Sequence, residues 1–247
     1  MSEQSAQARI LCYHRICDDP NPNLATFAMR PSDFRAQMQF LRDDGWNVIA
    51  LSEMLEAFQT NTPLNRAVVL TFDDGYQDLV DTAMPILREF GYRATAFIVS
   101  DLIGKTAEWD TRFGGEMGQL ATLDGLKLLE QSGWELGHHT RSHARLTSCS
   151  DDDLRNEIAG GKEQLESLLG HSVPTFAYPF GVNDQRVRDF TRDAGFPYGF
   201  ALDARIASNA SDPYGLERVC VLREHTLDDL ESLLVTGWDV QHAARFS

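Results

Sequence analysis

Short apolar runs rich in β-branched and aromatic residues alternate along this chain with longer runs of mixed polarity. The short runs are typical of strands, because β-branched and aromatic side chains fit a pleated surface that other elements cover. Glycine, proline or polar turn residues separate them, as is usual at strand ends. We therefore predict strands over residues 10–16, 46–50, 68–72, 94–99, 134–138, 175–178 and 198–202.

The longer runs place apolar residues at helical spacing and stop at glycine. Ser32 and Thr122 are the predicted N-caps of two of these helices. Strand and helix alternating over most of a chain indicate a parallel sheet that helices cover. Helices are predicted over residues 32–44, 79–90, 123–131, 184–194 and 226–235, and from 151 to near Gly170.

The number of predicted strands allows two α/β architectures. Seven strands are enough for a barrel, and an open doubly wound sheet fits the same pattern. No glycine-rich phosphate loop follows any predicted strand, which disfavours nucleotide binding. The chain of 247 residues, 43% of them hydrophobic, suits a single domain over residues 1–247.

Charge and the first residues limit the expected partners and location. With 22 basic and 37 acidic residues the net charge is −15, which disfavours nucleic acid and anionic membranes as partners. No apolar run approaches the roughly 18 residues of a membrane span. Residues 1–9 lack the basic and apolar regions of a secretory signal, so we expect a cytoplasmic location, with export by another route left open.

The chain has four cysteines, and none of them forms a CxxC pair. A domain of this size needs no disulfides, so reduced, buried thiols are the main expectation. Thiolate metal ligands are the alternative, which the irregular spacing disfavours. The cysteines are Cys12, Cys17, Cys149 and Cys220.

Two adjacent carboxylates, Asp73 and Asp74, stand where the third predicted strand ends. Such a pair is commonly a solvated turn, and Asp78 is available to start the following helix. Neighbouring carboxylates repel each other, so a cation between them would favour the ionised form of both. One carboxylate can then bind a metal while its neighbour moves a proton.

Two histidines four positions apart, His139 and His143, follow the fifth predicted strand. Loops after the strands carry the active sites of α/β barrels, so these histidines and the Asp73–Asp74 pair would lie on one face. One acid and two imidazoles form a three-ligand metal site with room for water, which is typical of a metal-dependent hydrolase. The residues around His14 favour a core histidine over a general acid.

Two further segments could line such a site. Residues 102–120 form a long connection that contains Trp109, and it is either a lid or substrate wall or an ordinary surface loop. Residues 175–181 run from a strand into a proline turn, which is either a simple strand end or an aromatic wall. In the second case a backbone N–H of this turn could bind a developing oxyanion.

Three motifs, in their order and spacing, resemble those of the polysaccharide deacetylases, which are carbohydrate esterase family four with its NodB homology domain. The resemblance covers about residues 9–222. It implies a distorted (β/α)7 barrel and the metal-dependent removal of N- or O-linked acetyl groups from sugars. The motifs are Thr71-Phe72-Asp73-Asp74-Gly75, His139-Thr140-Arg141-Ser142-His143 and Tyr178-Pro179-Phe180-Gly181.

The resemblance also implies roles for individual residues. Asp73 would be the catalytic base, and the Phe180 amide would bind the oxyanion. Tyr13-His14-Arg15-Ile16 resembles an element of the exopolysaccharide deacetylase branch, whose catalytic acid is an early histidine, so His14 takes that role. The metal ligands would be Asp74, His139 and His143. The metal is expected to be zinc, with iron, cobalt or nickel as alternatives. Further predicted substrate contacts are Tyr178, Pro179 and Trp109.

Two of the chain's departures from the family pattern bear directly on catalysis. Ala177 stands where the third motif usually has an arginine that steadies the base, so the orientation of the base must come from elsewhere or activity is modest. No late Leu-x-His element is evident. His225 and His242 compete with His14 as the acid, and we rank His14 first.

The predicted function is the metal-dependent removal of acetyl groups from N-acetylated amino sugars in a polysaccharide or oligosaccharide. The absence of a signal suggests one alternative, a deformylase or deacetylase of a small or lipid-linked glycan precursor. Ala177 suggests another, a carbohydrate-binding homologue without catalysis. The expected partner is an acetylated carbohydrate, and protein partners stay unknown.

Overall fold

A parallel sheet in the form of a half-barrel lies at the centre of this computed structural model, which describes residues 6–114, 117–203 and 205–236. The strands are β1 (Gln7–Tyr13), β2 (Arg15–Ile16), β3 (Ala28–Met29), β4 (Asn47–Val48), β5 (Ala67–Phe72), β6 (Thr95–Ile98), β7 (Glu135–His138), β8 (Thr175–Ala177), β9 (Tyr198–Phe200), β10 (Ala207–Ser208) and β11 (Val219–Cys220). The central sheet has the order β10-β1-β5-β6-β7-β8-β9, with β4 paired to β5 and β11 paired to β1, while β2 and β3 pair separately. All pairs of the central sheet are parallel except β1 with β10.

Helices alternate with the strands and cover the outer face of the sheet. The α-helices are α1 (Pro31–Asp43), α2 (Leu51–Thr60), α3 (Met84–Phe90), α4 (Leu123–Gln131), α5 (Asp151–Arg155), α6 (Gly161–Leu169), α7 (Gln185–Asp193) and α8 (Leu227–Thr236). Two of them continue from π-helical turns, Leu79–Ala83 before α3 and Asn156–Gly160 between α5 and α6. Each predicted helix is present with small shifts at its ends.

The two predicted N-caps have different outcomes. Thr122 caps α4, because its side chain accepts a hydrogen bond from the Gly125 amide. The prediction for Ser32 is wrong, since Arg30 is the N-cap of α1 and Pro31 is its first residue. Proline is favoured at the first helical position because its ring already fixes φ near the helical value and the missing N–H would have no helical partner.

Strand β5 shows why a continuous apolar run predicts the centre of this sheet. All six of its residues are buried. Val68 and Leu70 face the cluster between sheet and helices, whereas Ala67 and Val69 face the interior cluster that also contains Phe200. A strand covered on both faces has no polar side to alternate with its apolar side.

A segment near the end of the chain connects the last strand of the sheet to the first. Leu216 bridges Phe200 of β9, and two residues later the Asp203 amide donates to the Arg218 carbonyl. The segment then pairs with β1 as β11. Arg218 is thereby placed between β9 and β1, with its side chain fully buried.

The four cysteines are free thiols, but burial was predicted correctly only for Cys12. Cys17, Cys149 and Cys220 are partly buried. Within the described ranges, no helix has both the length and the apolar character needed to cross a membrane.

Candidate metal and catalytic site

The predicted site residues stand at the carboxyl ends of neighbouring parallel strands. Asp73 and Asp74 follow β5 directly, and His139 follows β7. His14 comes directly after β1 and interrupts the strand predicted there, while Phe180 lies in the turn after β8. Parallel strands bring these ends to one edge of the sheet, which is where α/β barrels carry their active sites.

Four residues of these loops have left-handed backbone conformations although none is glycine. Their φ angles are 75° at Asp74, 66° at Thr140, 62° at His143 and 62° at Phe180. A non-glycine residue in this region costs of order 1–3 kcal/mol, so the surrounding structure must hold it there. Strain of this kind is concentrated at binding and catalytic sites, and it supports a functional role for these loops.

Three buried side chains converge as a metal-binding group. Asp74 Oδ1 lies 3.2 Å from His143 Nε2 and 3.6 Å from His139 Nε2. The ligand atoms of all three residues lie within 4.8 Å of one another. Among the residues that the structure describes, no donor reaches Asp74 Oδ1 in hydrogen-bond geometry. A buried carboxylate oxygen facing two imidazole nitrogens is well suited to a cation.

Hydrogen bonding and burial prepare His139 to bind a metal. Its Nδ1 lies 2.8 Å from the Ala177 carbonyl oxygen, so Nδ1 carries the proton and Nε2 presents a lone pair toward Asp74. Burial lowers the pKa of His139 to about 4, although Asp73 and Asp74 partly oppose this shift. Burial alone would raise the pKa of Asp74, but His143 and His14 lower it instead. At neutral pH the site therefore offers a neutral imidazole and a carboxylate.

Glu157 fixes the loop that carries His143. Its carboxylate accepts hydrogen bonds from the Arg141 amide (3.0 Å), the Ser142 amide (2.9 Å) and the Ser142 hydroxyl (2.7 Å). Glu157 lies in the π-helical turn between α5 and α6, and such turns often occur at functional sites. The His143 amide in turn donates to Thr140 Oγ1 at 2.9 Å. These bonds hold the backbone in its left-handed conformation.

We expect the substitution Glu157→Ala to weaken metal binding without touching a ligand. Loss of outer partners of metal ligands typically costs about 10- to 100-fold in affinity, and we expect a loss in that range. Competition with a chromophoric chelator measures it. Glu163→Ala, at an exposed position of α6, is the matched control. An unchanged affinity in the Glu157→Ala variant would contradict this role.

Asp73 is held by a fully buried arginine. Arg218 Nη1 donates to Asp73 Oδ1 at 2.6 Å, and Nη2 donates to Oδ2 at 2.8 Å. The guanidinium also donates to Thr71 Oγ1 and stacks over the Phe97 ring. Burial alone would raise the pKa of Asp73, but Arg218 and His139 outweigh it and hold the pKa well below its usual range. Asp73 is therefore ionised and fixed in direction.

Arg218 orients the base Asp73 in place of the arginine that the family usually has at position 177. Ala177 lies at the end of β8, and its methyl group cannot donate a hydrogen bond to the base. The orientation of the base therefore comes from elsewhere, which was one of the two expectations. Paired donors from Arg218 give the carboxylate both charge compensation and geometry. The alternative expectation, that activity is modest, stays a prediction.

His14 lies beside the carboxylates and against the Phe27 ring, at a centroid distance of 5.1 Å. Burial lowers its pKa, but a hydrogen bond with Cys220 and the charges of Asp74 and Asp73 outweigh burial and raise the pKa to about 9. His14 is therefore protonated at neutral pH. Of its two competitors, His225 accepts a hydrogen bond from the Leu222 amide at Nδ1, and His242 lies outside the described residues.

Aromatic side chains form one wall of the site. The Trp109 ring stacks on His143 at 4.5 Å, and the Phe180 ring meets the edge of His143 at 4.7 Å. Tyr178 and Pro179 are buried, and the Tyr178 hydroxyl donates to the Tyr214 carbonyl. Through this bond Tyr178 fixes the start of the turn that carries Phe180. The substrate contacts predicted for these four residues stay predictions.

Sequence reasoning missed Arg218 and Glu157. Arg218 follows Glu217 in a short segment, and two adjacent charged residues are typical of an exposed loop. Glu157 lies on a helix where any acid would be expected at the surface. Neither position carries a local signal, because each acts only through a loop distant in sequence.

Comparison with known proteins shows which proteins this chain is similar to. The family model described as polysaccharide deacetylase matches residues 60–199. The poly-β-1,6-N-acetyl-D-glucosamine N-deacetylase of Staphylococcus aureus (strain MSSA476) is 23% identical over 228 residues, which cover 89% of this chain and 74% of that protein.

Solved structures of deacetylases are similar in fold to this chain. The Streptococcus pyogenes deacetylase PplD, in complex with acetate, aligns with a TM-score of 0.80 and 26% identity over 94% of this chain and 99% of that one. IcaB from Ammonifex degensii aligns with a TM-score of 0.75 and 22% identity over 95% of this chain and 98% of that one. These likenesses confirm the predicted fold class, a distorted (β/α)7 barrel in a single domain.

Proposed function

The chain belongs to the polysaccharide deacetylase family, and from this we propose that it hydrolyses the acetamide of N-acetylated amino sugars in a polysaccharide or oligosaccharide. Deacetylases of this family depend on a metal ion. One observation carries the proposal: a group of three metal-binding side chains lies directly beside a carboxylate held by Arg218 and beside the His14 imidazole. The relative from Staphylococcus aureus, whose name specifies poly-β-1,6-N-acetyl-D-glucosamine, indicates the substrate class.

Asp74, His139 and His143 would hold the divalent ion, and two imidazoles with one carboxylate suit zinc. When bound, such an ion supplies Lewis acidity toward the acetyl carbonyl and lowers the pKa of water. The residues of the chain supply the proton transfers and a hydrogen bond to the oxyanion. Asp73 accepts the proton of the attacking water, and the Phe180 amide donates to the developing oxyanion.

His14 is the proposed general acid, which protonates the leaving nitrogen. An amine is a poor leaving group, so the carbon–nitrogen bond breaks readily only when the nitrogen receives a proton. His14 carries that proton at neutral pH because its pKa is raised to about 9. Once His14 has given up the proton, acetate and the free amino sugar leave.

We expect His14→Ala to lower kcat on an acetamide by about 10²- to 10⁴-fold, while Asp74, His139 and His143 still bind the catalytic metal. An activated acetate ester with a good leaving group needs no acid, so the variant should hydrolyse such an ester at nearly the normal rate. In the unsubstituted protein, kcat on the acetamide should fall as the pH rises through about 9, where His14 loses its proton. Equal losses on amide and ester would assign the acid to a different residue.

Acetate release from a panel of acetylated glycans, with metal restored to the purified protein, tests the function. The panel compares β-1,6-linked N-acetylglucosamine oligomers, O-acetylated glycans, small N-acetyl sugars and formylated analogues. Release from the N-acetylated oligomers supports the proposal. Turnover of small or formylated sugars alone would favour the precursor deformylase or deacetylase, and binding without any release would favour the carbohydrate-binding homologue.

Zinc as the native metal and a cytoplasmic location are part of the proposal. Elemental analysis of protein purified without added metal tests the first, with iron, cobalt or nickel as the contradicting results. Fractionation of cells that produce the native protein tests the second.

A further inference from the structure

Beside the proposed metal trio lies a second cluster of metal-binding side chains, and it contains thiols. Cys12 Sγ donates to Asp73 Oδ2 at 3.4 Å. The ligand atoms of Cys12, His14 and Asp73 all lie within 4.8 Å of one another. Cys220 stands directly opposite Cys12 in the register of β11 with β1, so the two side chains lie on the same face of the sheet.

The dimensions of this cluster suit a small divalent ion. Zinc binds sulfur at about 2.3 Å and nitrogen or oxygen at about 2.0–2.2 Å, so donors around a tetrahedral ion lie roughly 3.3–3.8 Å apart. The separation of 3.4 Å between Cys12 Sγ and Asp73 Oδ2 falls in that range. The cluster shares no residue with Asp74, His139 and His143, so both groups could be occupied together.

The charges also balance. With both thiols ionised, Cys12, Cys220 and Asp73 carry three negative charges, which match a divalent cation together with the Arg218 guanidinium. Metal ligands must be thiolates and neutral imidazoles, so both thiols and His14 would release their protons as the metal binds.

We propose that Cys12, His14 and Asp73, with Cys220 as a fourth donor, form a second metal site that binds thiophilic divalent ions such as zinc and blocks catalysis. Sulfur donors favour zinc over magnesium or calcium, so the site is selective for thiophilic ions. Metal binding itself is independent of the proposed function. Inhibition rests on that function, because an ion bound here would occupy both the base Asp73 and the acid His14.

Cobalt titration of the reduced, metal-free protein tests the site without any substrate. A phosphine keeps the thiols reduced, and the near-ultraviolet thiolate-to-cobalt charge-transfer band reports a cobalt–sulfur bond. We expect two cobalt ions per chain, with the band accompanying one of them. The double variant Cys12→Ala/Cys220→Ala should lose the band completely and bind one ion. Cys149→Ala, which removes a thiol outside the cluster, should keep both ions and the band.

Zinc inhibition of acetate release tests whether an ion at the second site blocks catalysis. In the unsubstituted protein and in Cys149→Ala, zinc beyond one equivalent should abolish activity. The double variant, relative to its own uninhibited rate, should need at least about tenfold more zinc, because even outer partners of metal ligands contribute 10- to 100-fold to affinity. Equal zinc sensitivity in all three proteins would overturn the inhibitory role.

The spectroscopic result decides the site even if no glycan is turned over. A titration of the unsubstituted protein without the thiolate band would overturn the second site. A band that survives in the double variant would also overturn it, since the sulfur donor would then be Cys17 or Cys149. Loss of the band in the double variant alone supports the site, whatever the outcome of the substrate panel.

Discussion

Asp73→Asn should abolish turnover of an acetylated glycan while the protein still binds its catalytic metal. The amide cannot accept the proton of the attacking water, and loss of a general base typically lowers kcat by about 10²- to 10⁴-fold. The metal trio consists of other side chains, with Asp74 Oδ1 facing both imidazoles. Acetate release and elemental analysis of the same preparation measure the two properties together.

Asp74→Asn is the matched comparison, because the same chemical change one position later removes a proposed ligand. We expect this variant to lose metal and activity together. Asp73→Asn also leaves the buried Arg218 without a counter-charge, so circular dichroism must first establish that the variant is folded. If folded Asp73→Asn protein lost metal in proportion to activity, the division of roles between the two aspartates would be wrong.

The strand and helix pattern was enough to predict the fold class, because the large elements bury apolar surface in a regular period. The strand β5 is six residues long and buried throughout, and it was found within one residue of its true start. The strands β10 and β11 have two residues each and depend on pairing with β1, so no local pattern reveals them. The same lack of a local signal explains why the segment that joins β9 to β1 was not expected.

The candidate site could be predicted where its residues follow long strands and form dense motifs, as Asp73, Asp74, His139 and His143 do. Residues that act across the sheet could not be predicted. Arg218 reaches Asp73 over 145 sequence positions, and Glu157 supports the histidine loop from a π-helical turn. The irregular spacing of the cysteines in sequence disfavoured thiolate metal ligands. Parallel pairing of β11 with β1 nevertheless places Cys220 directly opposite Cys12.

Removal of the arginine should destabilise the protein and change how it responds to pH. Arg218→Met keeps much of the apolar volume but leaves the buried Asp73 carboxylate without its partner. Breaking a buried ion pair from one side costs about 3–5 kcal/mol, and we expect a loss of that size at pH 7. Urea unfolding measures the loss, provided that the native protein unfolds in a single transition.

The pH dependence distinguishes this charge effect from a packing defect. In the native protein the pKa of Asp73 is depressed, so its contribution to stability is complete above the unfolded pKa of about 4 and is lost as the pH falls through the folded value. In Arg218→Met, burial acts without the arginine and raises that pKa. The variant should therefore recover stability relative to the native protein as the pH falls and Asp73 binds a proton. The acid limb of its activity should move to higher pH, because the base must be ionised to act.

The double variant Asp73→Asn/Arg218→Met completes the test, because it removes both charges. We expect it to be more stable at pH 7 than either single variant, since no buried charge is left without a partner. It should remain inactive and still bind the catalytic metal. If instead the two single losses simply added, the pair Asp73–Arg218 would not be coupled, and the claim that Arg218 holds the base through its charge would fail. Such coupling would explain how this chain keeps an oriented base at Asp73 with an alanine at position 177.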